Sequence, residues 1–187
     1  MSFQDLSKFR LPENFRGRSA VFVQFWWLVQ ATFFRLSPQF AYGFRASILR
    51  LFGCSIGQNV LIRPTATITY PWKLTIGDNS WIGDNVELYC LGPISIGSNS
   101  VISQRSYICA GDHDYKASQF PIRSSSVNIG NECWIATDTF VAPGVVIGDG
   151  CVVGARSSVF TSLPHGMVCY GSPCKPIHAR DTKPLKK

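Results

Sequence analysis

The sequence predicts an all-β chain that winds as a parallel β-helix of six-residue repeats, with a helical N-terminal arm and a short C-terminal tail. Three features of the sequence predict this fold. Aliphatic residues recur every six positions, glycine or another small residue follows many of them, and the fourth residue after most of them is small or β-branched. A six-residue period fits neither a 3.6-residue helix nor a lone alternating strand, but it fits short strands joined by tight turns.

The aliphatic positions extend over about a hundred residues, and three repeats make one triangular coil of about 18 residues. Each coil buries its aliphatic side chains only by stacking on its neighbours. We therefore expect about five coils and a partial sixth, because several coils are needed before the stack becomes stable. The aliphatic positions are Ile56, Ile62, Ile68, Ile76, Ile82, Leu88, Ile96, Ile102, Ile108, Ile129, Ile135, Val141, Ile147, Val153 and Val159.

Seven cysteines, with no CxxC pair, argue against a disulfide framework in a chain of 187 residues. Cys133, Cys151 and Cys169 are spaced by 18 residues. This spacing predicts that they stack along one edge of the β-helix as small hydrophobic residues. We expect these thiols to be reduced, as in a cytoplasmic protein.

Residues 1–53 differ in character from the repeats and form the predicted arm. The segment from Phe15 to Phe34 has a helical and unusually aromatic composition, and a second segment runs from Phe40 to Phe52. Two interpretations remain open: the arm packs on the β-helix or a neighbouring subunit, or residues 15–52 make a peripheral contact with a membrane. The β-helix is assigned to residues 54–177, with a loop at 111–126, and a basic tail to 178–187.

The charge of the chain is unevenly distributed around a net value of +7. Both ends are basic and the middle is mildly acidic, so no folded basic surface for nucleic acid is predicted. An anionic cofactor or a membrane surface remains open. The start of the sequence does not resemble a secretory signal, and the apolar stretch from Ala20 to Phe34 is shorter than the roughly 20 residues of a membrane span. We expect a cytoplasmic protein, with the inner face of the cytoplasmic membrane as the alternative location.

The repeat is interrupted once, between Ile108 and Ile129, where residues 111–126 form a polar insertion. A loop that leaves a regular scaffold is a common place for function. This one carries His113, and a neutral imidazole can take a proton from a hydroxyl near neutral pH. Asp112 or Asp114 could fix the tautomer of that imidazole.

The motifs around these residues resemble those of the hexapeptide-repeat acyltransferases, which fold as left-handed parallel β-helices. The matches are ICAGDHDY around His113, WIA at 134–136, VAPG at 141–144 and YGSPCK at 170–175. Within that superfamily the N-terminal region, the YPW at 70–72 and the HDY loop are most similar to the colanic acid biosynthesis acetyltransferases. The resemblance implies a homotrimer with sites between subunits, acetyl-CoA as co-substrate, a carbohydrate acceptor and no metal.

The resemblance also implies roles for individual residues. Thr137 would stabilise the oxyanion, although Ala136 stands where the family usually has glycine. The segment FTS at 160–162 stands where Thr-Lys-Asp is usual, so the lysine is missing. The implied residues are His113, Asp112 and Thr137 for catalysis, Trp134, Ala136, Thr137, Ala155, Arg156, Lys175 and Arg180 for the coenzyme, and Asp114, Tyr115 and Tyr89 for the acceptor.

We therefore predict an O-acetyltransferase that moves an acetyl group from acetyl-CoA to a sugar hydroxyl of an exopolysaccharide or its precursor. An acetyltransferase for a small xenobiotic or other hydroxyl acceptor and a non-enzymatic trimeric scaffold are the alternatives. The γ-class carbonic anhydrases share this fold but hold zinc with three histidines. Here His165 and His178 lie near the tail, outside any coil-spaced pattern, so no metal site is predicted.

Overall fold

The computed structural model describes residues 3–181 and shows an N-terminal helical region followed by a parallel β-helix. A short 3-10 turn at Leu6–Lys8 precedes helix α1 (Ala20–Val29), which continues into a π-helical turn at Gln30–Phe34, and helix α2 (Tyr42–Leu51) follows. The strands in chain order are β1 (Ser55–Ile56), β2 (Leu61–Ile62), β3 (Thr67–Ile68), β4 (Leu74–Ile76), β5 (Trp81–Ile82), β6 (Glu87–Tyr89), β7 (Ile94–Ile96), β8 (Val101–Ile102), β9 (Tyr107–Cys109), β10 (Gly111–His113), β11 (Ile122–Ser124), β12 (Val127–Ile129), β13 (Trp134–Ile135), β14 (Phe140–Val141), β15 (Val146–Ile147), β16 (Val152–Val153), β17 (Ser158–Val159), β18 (Met167–Gly171) and β19 (Cys174–Ala179).

The strands form three parallel faces of a triangular prism. Face A has the order β1-β4-β7-β12-β15, face B has β2-β5-β8-β13-β16-β18 and face C has β3-β6-β9-β14-β17. β19 closes face B by pairing antiparallel with β18. The predicted five coils and partial sixth are confirmed. The aliphatic position of each hexad points inward, as in the face B column of Ile62, Ile82, Ile102, Ile135 and Val153, which is at most 1% exposed.

The small-residue position of the hexad makes hydrogen bonds between coils. The Ser80 hydroxyl donates to the Gly97 carbonyl over 2.7 Å and accepts from the N–H of Ser100 over 3.0 Å. The Ser100 hydroxyl repeats this one coil later, donating to Gly130 and accepting from the N–H of Cys133. All three of these side chains are buried. Where a serine occupies this position, it therefore fills a small buried space and also bridges one coil to the next.

The predicted column of three cysteines is only partly correct. Cys151 keeps the small-residue position, but Cys169 pairs with Val153 and fills an inward aliphatic position instead. The reason is a short coil: Leu163 bridges to Ile147 only sixteen residues earlier in the chain, so β18 arrives two residues out of the regular register. The seven cysteines are all buried and unpaired.

The two helices close the open end of the first coil. The Trp26 indole donates to the carbonyl of Ile68, while the Gln30 side chain accepts from the N–H of the same residue, over 2.9 and 2.7 Å. Arg45 is fully buried and donates to the carbonyl of Ile62 over 2.6 Å. The first coil has no coil before it to pair with, so these bonds satisfy backbone groups that would otherwise lack a partner. The arm thus packs on the β-helix, which was one of its two interpretations.

The boundaries of the elements differ from the sequence prediction at both ends. α1 begins at Ala20 rather than Phe15, because the Ser19 hydroxyl caps it by accepting from the N–H of Phe22. The wide π-helical turn rotates the chain so that Phe34 is buried. At the C-terminus β19 extends to Ala179, into the predicted tail, of which residues 182–187 lie outside the described part. No described helix has the length and apolarity needed to span a membrane.

Residues 3–18, which we call the N-terminal strap, lie along the edge where face C turns into face A. The Trp72 indole donates to the Arg16 carbonyl and the Lys73 ammonium donates to the Phe15 carbonyl, both over 2.7 Å. At the other end of the strap, the N–H of Asp5 donates to the carbonyl of Ser118, in the loop that interrupts the repeat, over 2.7 Å. The strap is therefore anchored at both ends and passes the inserted loop.

Candidate active site

The insertion at 111–126 folds as a β-hairpin that projects from the edge between faces C and A. β10 and β11 pair antiparallel, with His113 opposite Ile122. A Cβ at Gly111 would lie 2.7 Å from the Leu91 side chain, so only glycine fits where the hairpin leaves the third coil. The predicted break in the repeat is thus an ordered structure that holds His113 at a fixed place.

The His113 imidazole is held by Phe120. Its Nδ1 lies 2.9 Å from the Phe120 carbonyl, and the two rings stack at 4.2 Å with an interplanar angle of 8°. Because a carbonyl can only accept, Nδ1 carries the proton and the lone pair is on Nε2, the arrangement that a general base needs. Phe120 has φ of 50°, an uncommon conformation for a bulky residue, and such strain concentrates at functional sites.

The predicted role of the neighbouring aspartates is wrong in this chain. Asp112 forms a two-bond ion pair with Arg123, with distances of 2.9 and 2.8 Å, and Asp114 accepts from the N–H of Lys116. Neither carboxylate bonds to the imidazole, because Asp112 points to the opposite side of β10 from His113 and Asp114 lies in the turn beyond the end of that strand. The Phe120 carbonyl takes the orienting place, and no sequence signal identified it.

Most of the residues predicted to hold the coenzyme line one groove of about 350 Å³ at the edge between faces B and C. Trp134 is half-exposed on face B, and its indole donates to the Ser103 hydroxyl over 3.0 Å. Such a concave site with an aromatic wall and a few polar groups is typical of ligand binding. We call it the coenzyme groove, and it is lined by Ser103, Gln104, Trp134, Ala136, Thr137, Val152, Gly154 and Ala155.

Thr137 lies in this groove with its hydroxyl already in use. The hydroxyl donates to the Gln104 carbonyl over 2.9 Å, and it accepts from Arg105 over 3.4 Å. The backbone N–H of Thr137 has no acceptor within residues 3–181. The N–H, rather than the hydroxyl, is therefore the group of this residue that can donate to an oxyanion.

A second groove of about 360 Å³ continues the first along face B toward the N-terminal end. The two share Ser103 and Gln104. Its walls include the exposed ring of Trp81 and the ion pair between Arg63 and Asp84, whose nearest atoms are 2.7 Å apart. Burial by itself would raise the pKa of Asp84, but hydrogen bonds from Arg63 and Thr65 lower it overall, so this carboxylate stays ionised.

The chain matches two family models over parts of the β-helix and a curated protein over most of its length. Residues 126–161 match the bacterial transferase hexapeptide (six repeats), and residues 73–108 match the hexapeptide repeat of succinyl-transferase. The chain is 60% identical over 177 residues to a protein of Escherichia coli (strain K12) named as the colanic acid biosynthesis acetyltransferase WcaF, covering 95% of this chain and 97% of that protein. The chain belongs to the hexapeptide-repeat acetyltransferases, in their colanic acid biosynthesis branch.

Solved structures share the fold of this hexapeptide-repeat acetyltransferase at low sequence identity. A hexapeptide-repeat acetyltransferase from Vibrio cholerae O1 biovar eltor, complexed with acetyl-CoA, has a TM-score of 0.79 and 20% identity, covering 89% of this chain and 92% of that one. A galactoside acetyltransferase in complex with coenzyme A has a TM-score of 0.80 and 24% identity, covering 91% and 84%.

The basic residues predicted to bind coenzyme phosphates are dispersed. Arg156 is exposed beside the coenzyme groove, 3.9 Å from Asp138, and Lys175 pairs with Tyr170 in the C-terminal hairpin. Arg180 instead lies at the other edge of face B. Its guanidinium donates to the carbonyls of Glu132 and Gly150. These two residues lie shortly before β13 and β16, at the edge where the chain turns from face A into face B. The structure does not bring Arg180 to the groove.

The residues predicted to bind the acceptor lie in different surroundings. Tyr115 is 74% exposed on the hairpin, whereas the ring of Tyr89 lies on the outside of face C, 5.9 Å from that of Tyr107. The sequence prediction missed Ser103, Gln104 and Arg105, whose positions are visible only once the coils are stacked. Within residues 3–181, no group of three or more His, Cys, Asp or Glu side chains is placed to hold a metal ion.

Proposed function

We propose that this hexapeptide-repeat acetyltransferase transfers an acetyl group from acetyl-CoA to a hydroxyl of a sugar in an exopolysaccharide or its precursor. The observation that carries the proposal is the 60% identity to WcaF over nearly the whole of both chains. The coenzyme groove and the tautomer of His113 support it, since they supply a site for a thioester and a base for a hydroxyl.

The proposed chemistry follows from these groups. Nε2 of His113 takes the proton of the sugar hydroxyl while that oxygen attacks the thioester carbonyl carbon. The N–H of Thr137 donates to the oxyanion of the tetrahedral intermediate. When the intermediate collapses, the carbon–sulfur bond breaks, and the protonated imidazole returns its proton to the leaving sulfur. Acetyl ester and coenzyme A are released, and the imidazole is neutral again.

We propose that the enzyme is a homotrimer whose sites lie between subunits. In one chain Thr137 precedes β14 and His113 follows β9, so these residues lie at opposite edges of face C. A three-fold arrangement with face C inward brings the His113 edge of one subunit to the groove edge of the next. A row of aromatic rings on face C supports this, with spacings of 5.8 to 6.0 Å. The rings belong to Tyr89, Tyr107, Phe140 and Phe160.

The proposed trimer also leads to a proposal for where the two substrates bind. Rotation about a three-fold axis keeps equivalent residues at the same height, and both the His113 hairpin and Ser103 belong to the third coil. A neighbouring hairpin therefore reaches the junction of the two grooves. We propose that acetyl-CoA occupies the coenzyme groove and that the sugar lies on the N-terminal side of the junction, against Trp81. Asp114 and Tyr115 of the hairpin then face the acceptor.

The function is tested by following thiol release from acetyl-CoA with a panel of sugars and oligosaccharides, together with calorimetry of coenzyme A binding. We expect binding of the coenzyme and acetylation of carbohydrate acceptors. Acetylation of small xenobiotic hydroxyl compounds in preference to every sugar would support the first alternative. An absence of coenzyme binding would overturn the proposal and favour a trimeric scaffold.

We also propose a cytoplasmic location, with residues 15–52 resting on the inner face of the membrane. Val21, Phe25 and Leu28 form an exposed stripe on α1, on the side opposite buried Trp26. Residues 15–52 contain no acidic residue, and Arg18, Arg35 and Arg50 are exposed cations among them, which suits an anionic lipid surface. Further large apolar side chains are exposed on the arm at Phe33, Leu36, Phe40, Phe44 and Leu51.

This contact is tested by sedimentation with vesicles of phosphatidylcholine alone or mixed with phosphatidylglycerol. We expect binding to the anionic vesicles, weakened by salt and by the double substitution Phe25→Ser and Leu28→Ser. Ile177→Ser, which removes an exposed apolar side chain from β19, is the matched control and should bind normally. Equal sedimentation of all variants would contradict the contact. Light scattering of the wild type and the double variant measures their oligomeric state and reports whether the stripe on α1 instead joins subunits.

A further inference from the structure

The N-terminal strap contacts the candidate base, which neither the repeat pattern nor the family comparison indicates. The ring of Phe9 lies 6.1 Å from the His113 imidazole, inclined by 51°, so that the imidazole has Phe120 and Phe9 as aromatic neighbours. Phe9 is half-buried, whereas Phe3 and Leu6 of the same strap are 95% and 60% exposed. Among the apolar residues near the start of the strap, Phe9 is thus the one turned toward the hairpin.

The strap has its own local structure, which fixes the direction of Phe9. Asp5 caps the turn at Leu6–Lys8 by accepting from the N–H of Ser7 over 3.2 Å. Hydrogen bonds from Ser7 and Lys8 lower the pKa of Asp5, so it is ionised at neutral pH. Arg10 donates to the carbonyl of Phe9 over 2.7 Å. The segment is therefore ordered immediately beside the imidazole.

We propose that Phe9 is a positioning residue, which together with Phe120 forms an aromatic slot that fixes the His113 ring for proton transfer. This inference rests on the proposed function, since it concerns the same base. The single hydrogen bond at Nδ1 fixes one atom of the imidazole, while the ring can still tilt about that bond. Contacts from two aromatic rings limit this tilt and keep Nε2 directed at the acceptor. Because a small misplacement of a reacting group lowers the reaction rate strongly, the contact between Phe9 and the imidazole should matter for catalysis.

The kinetic test compares Phe9→Ala, Phe9→Leu and Phe3→Ala. We expect Phe9→Ala to lower kcat about tenfold, as a modest loss of orientation does, with the KM for acetyl-CoA unchanged. Phe9→Leu keeps an apolar side chain against the ring and should recover most of kcat. Phe3→Ala, which removes an exposed phenyl group from the same strap, should behave as the wild type. A wild-type kcat for Phe9→Ala would overturn the proposal.

A second test needs no substrate, so it separates failure of this inference from failure of the proposed function. Diethyl pyrocarbonate acylates neutral imidazoles, and mass spectrometry gives its rate at each histidine. His165 and His178 are exposed and serve as internal references in every variant. We expect His113 to react faster in Phe9→Ala, relative to these references, and at its original rate in Phe9→Leu. An unchanged relative rate in Phe9→Ala would contradict the slot, whether or not the protein transfers acetyl groups.

Discussion

His113 is the residue whose chemistry the account depends on most. Its Nδ1 is committed to the Phe120 carbonyl, and its ring does not line the coenzyme groove of its own chain. Replacing it should therefore affect the proton transfer and leave coenzyme binding intact. The sequence motif identified His113 as the candidate base but gave the wrong partner for its imidazole, because the partner is a backbone carbonyl seven residues away.

We predict that His113→Ala lowers kcat by about 10²–10⁴, the usual contribution of a general base, while the Kd for coenzyme A stays the same. Acetyl-transfer kinetics and calorimetry measure the two quantities. His165→Ala is the matched control, since that histidine is exposed outside the hairpin. An unchanged kcat would remove His113 from the mechanism.

Ser100 tests the bridging role of the small-residue position. Its hydroxyl bonds to the carbonyl of Gly130 and the N–H of Cys133, and alanine would leave both groups buried and unpaired. We predict that Ser100→Ala lowers the free energy of unfolding by about 1–3 kcal/mol. Ser100→Cys should cost less, because Cys133 already uses a thiol to bond the Gly148 carbonyl in the same position. Urea denaturation measures both, and an equal loss for the two variants would argue against the bridge.

Among the elements, the helical arm stabilises the end of the β-helix through a few polar side chains. Arg45 makes bonds to the Ser37 hydroxyl and to the carbonyls of Pro38, Gln39 and Ile62, all within 2.8 Å. Burial lowers its pKa, yet the guanidinium is matched by acceptors on all sides. One planar group thereby connects α2, the loop before it and the first coil.

We predict that Arg45→Met lowers the free energy of unfolding by about 3 kcal/mol or more, since several carbonyls lose their donor in a buried place. Arg45→Lys should recover little, because one ammonium cannot reproduce the fork of a guanidinium. Arg35→Met is the control, because Arg35 is an exposed cation of the same arm and should change stability by no more than about 0.5 kcal/mol. Chemical denaturation distinguishes them, and a neutral Arg45→Met would contradict the capping role.

The sequence predicted the repeating elements well and the exceptions poorly. A period of six is visible because every coil obeys the same packing requirement, so the inward positions from Ile56 to Val159 could be read in advance. The short coil before β18 could not be predicted, since the omission of two residues leaves no motif. The pairing of Asp112 with Arg123 and of His113 with Phe120 depends on the hairpin geometry, which the period does not describe.

At the scale of the whole molecule, the stripe on α1 and the aromatic row on face C are two separate apolar surfaces exposed on a single chain. The helices α1 and α2, which contain no acidic residue, lie at one end of the prism and close the first coil, while the outer stripe of α1 remains uncovered. The aromatic row on face C is a different surface, and we propose that subunits cover it. A single chain is then an incomplete enzyme, because His113 and the coenzyme groove lie at opposite edges of that face.

Mixed trimers test this central claim most directly. His113→Ala lacks the base, while Ala155→Trp fills the coenzyme groove at an exposed position; each should be inactive alone. When the two variants are unfolded together and refolded as mixed trimers, about a quarter of the sites should combine an intact hairpin with an intact groove from the next subunit. We predict that acetyl transfer returns to about that fraction of the wild-type rate. Mixed trimers that remain as inactive as their parents would contradict a site shared between subunits.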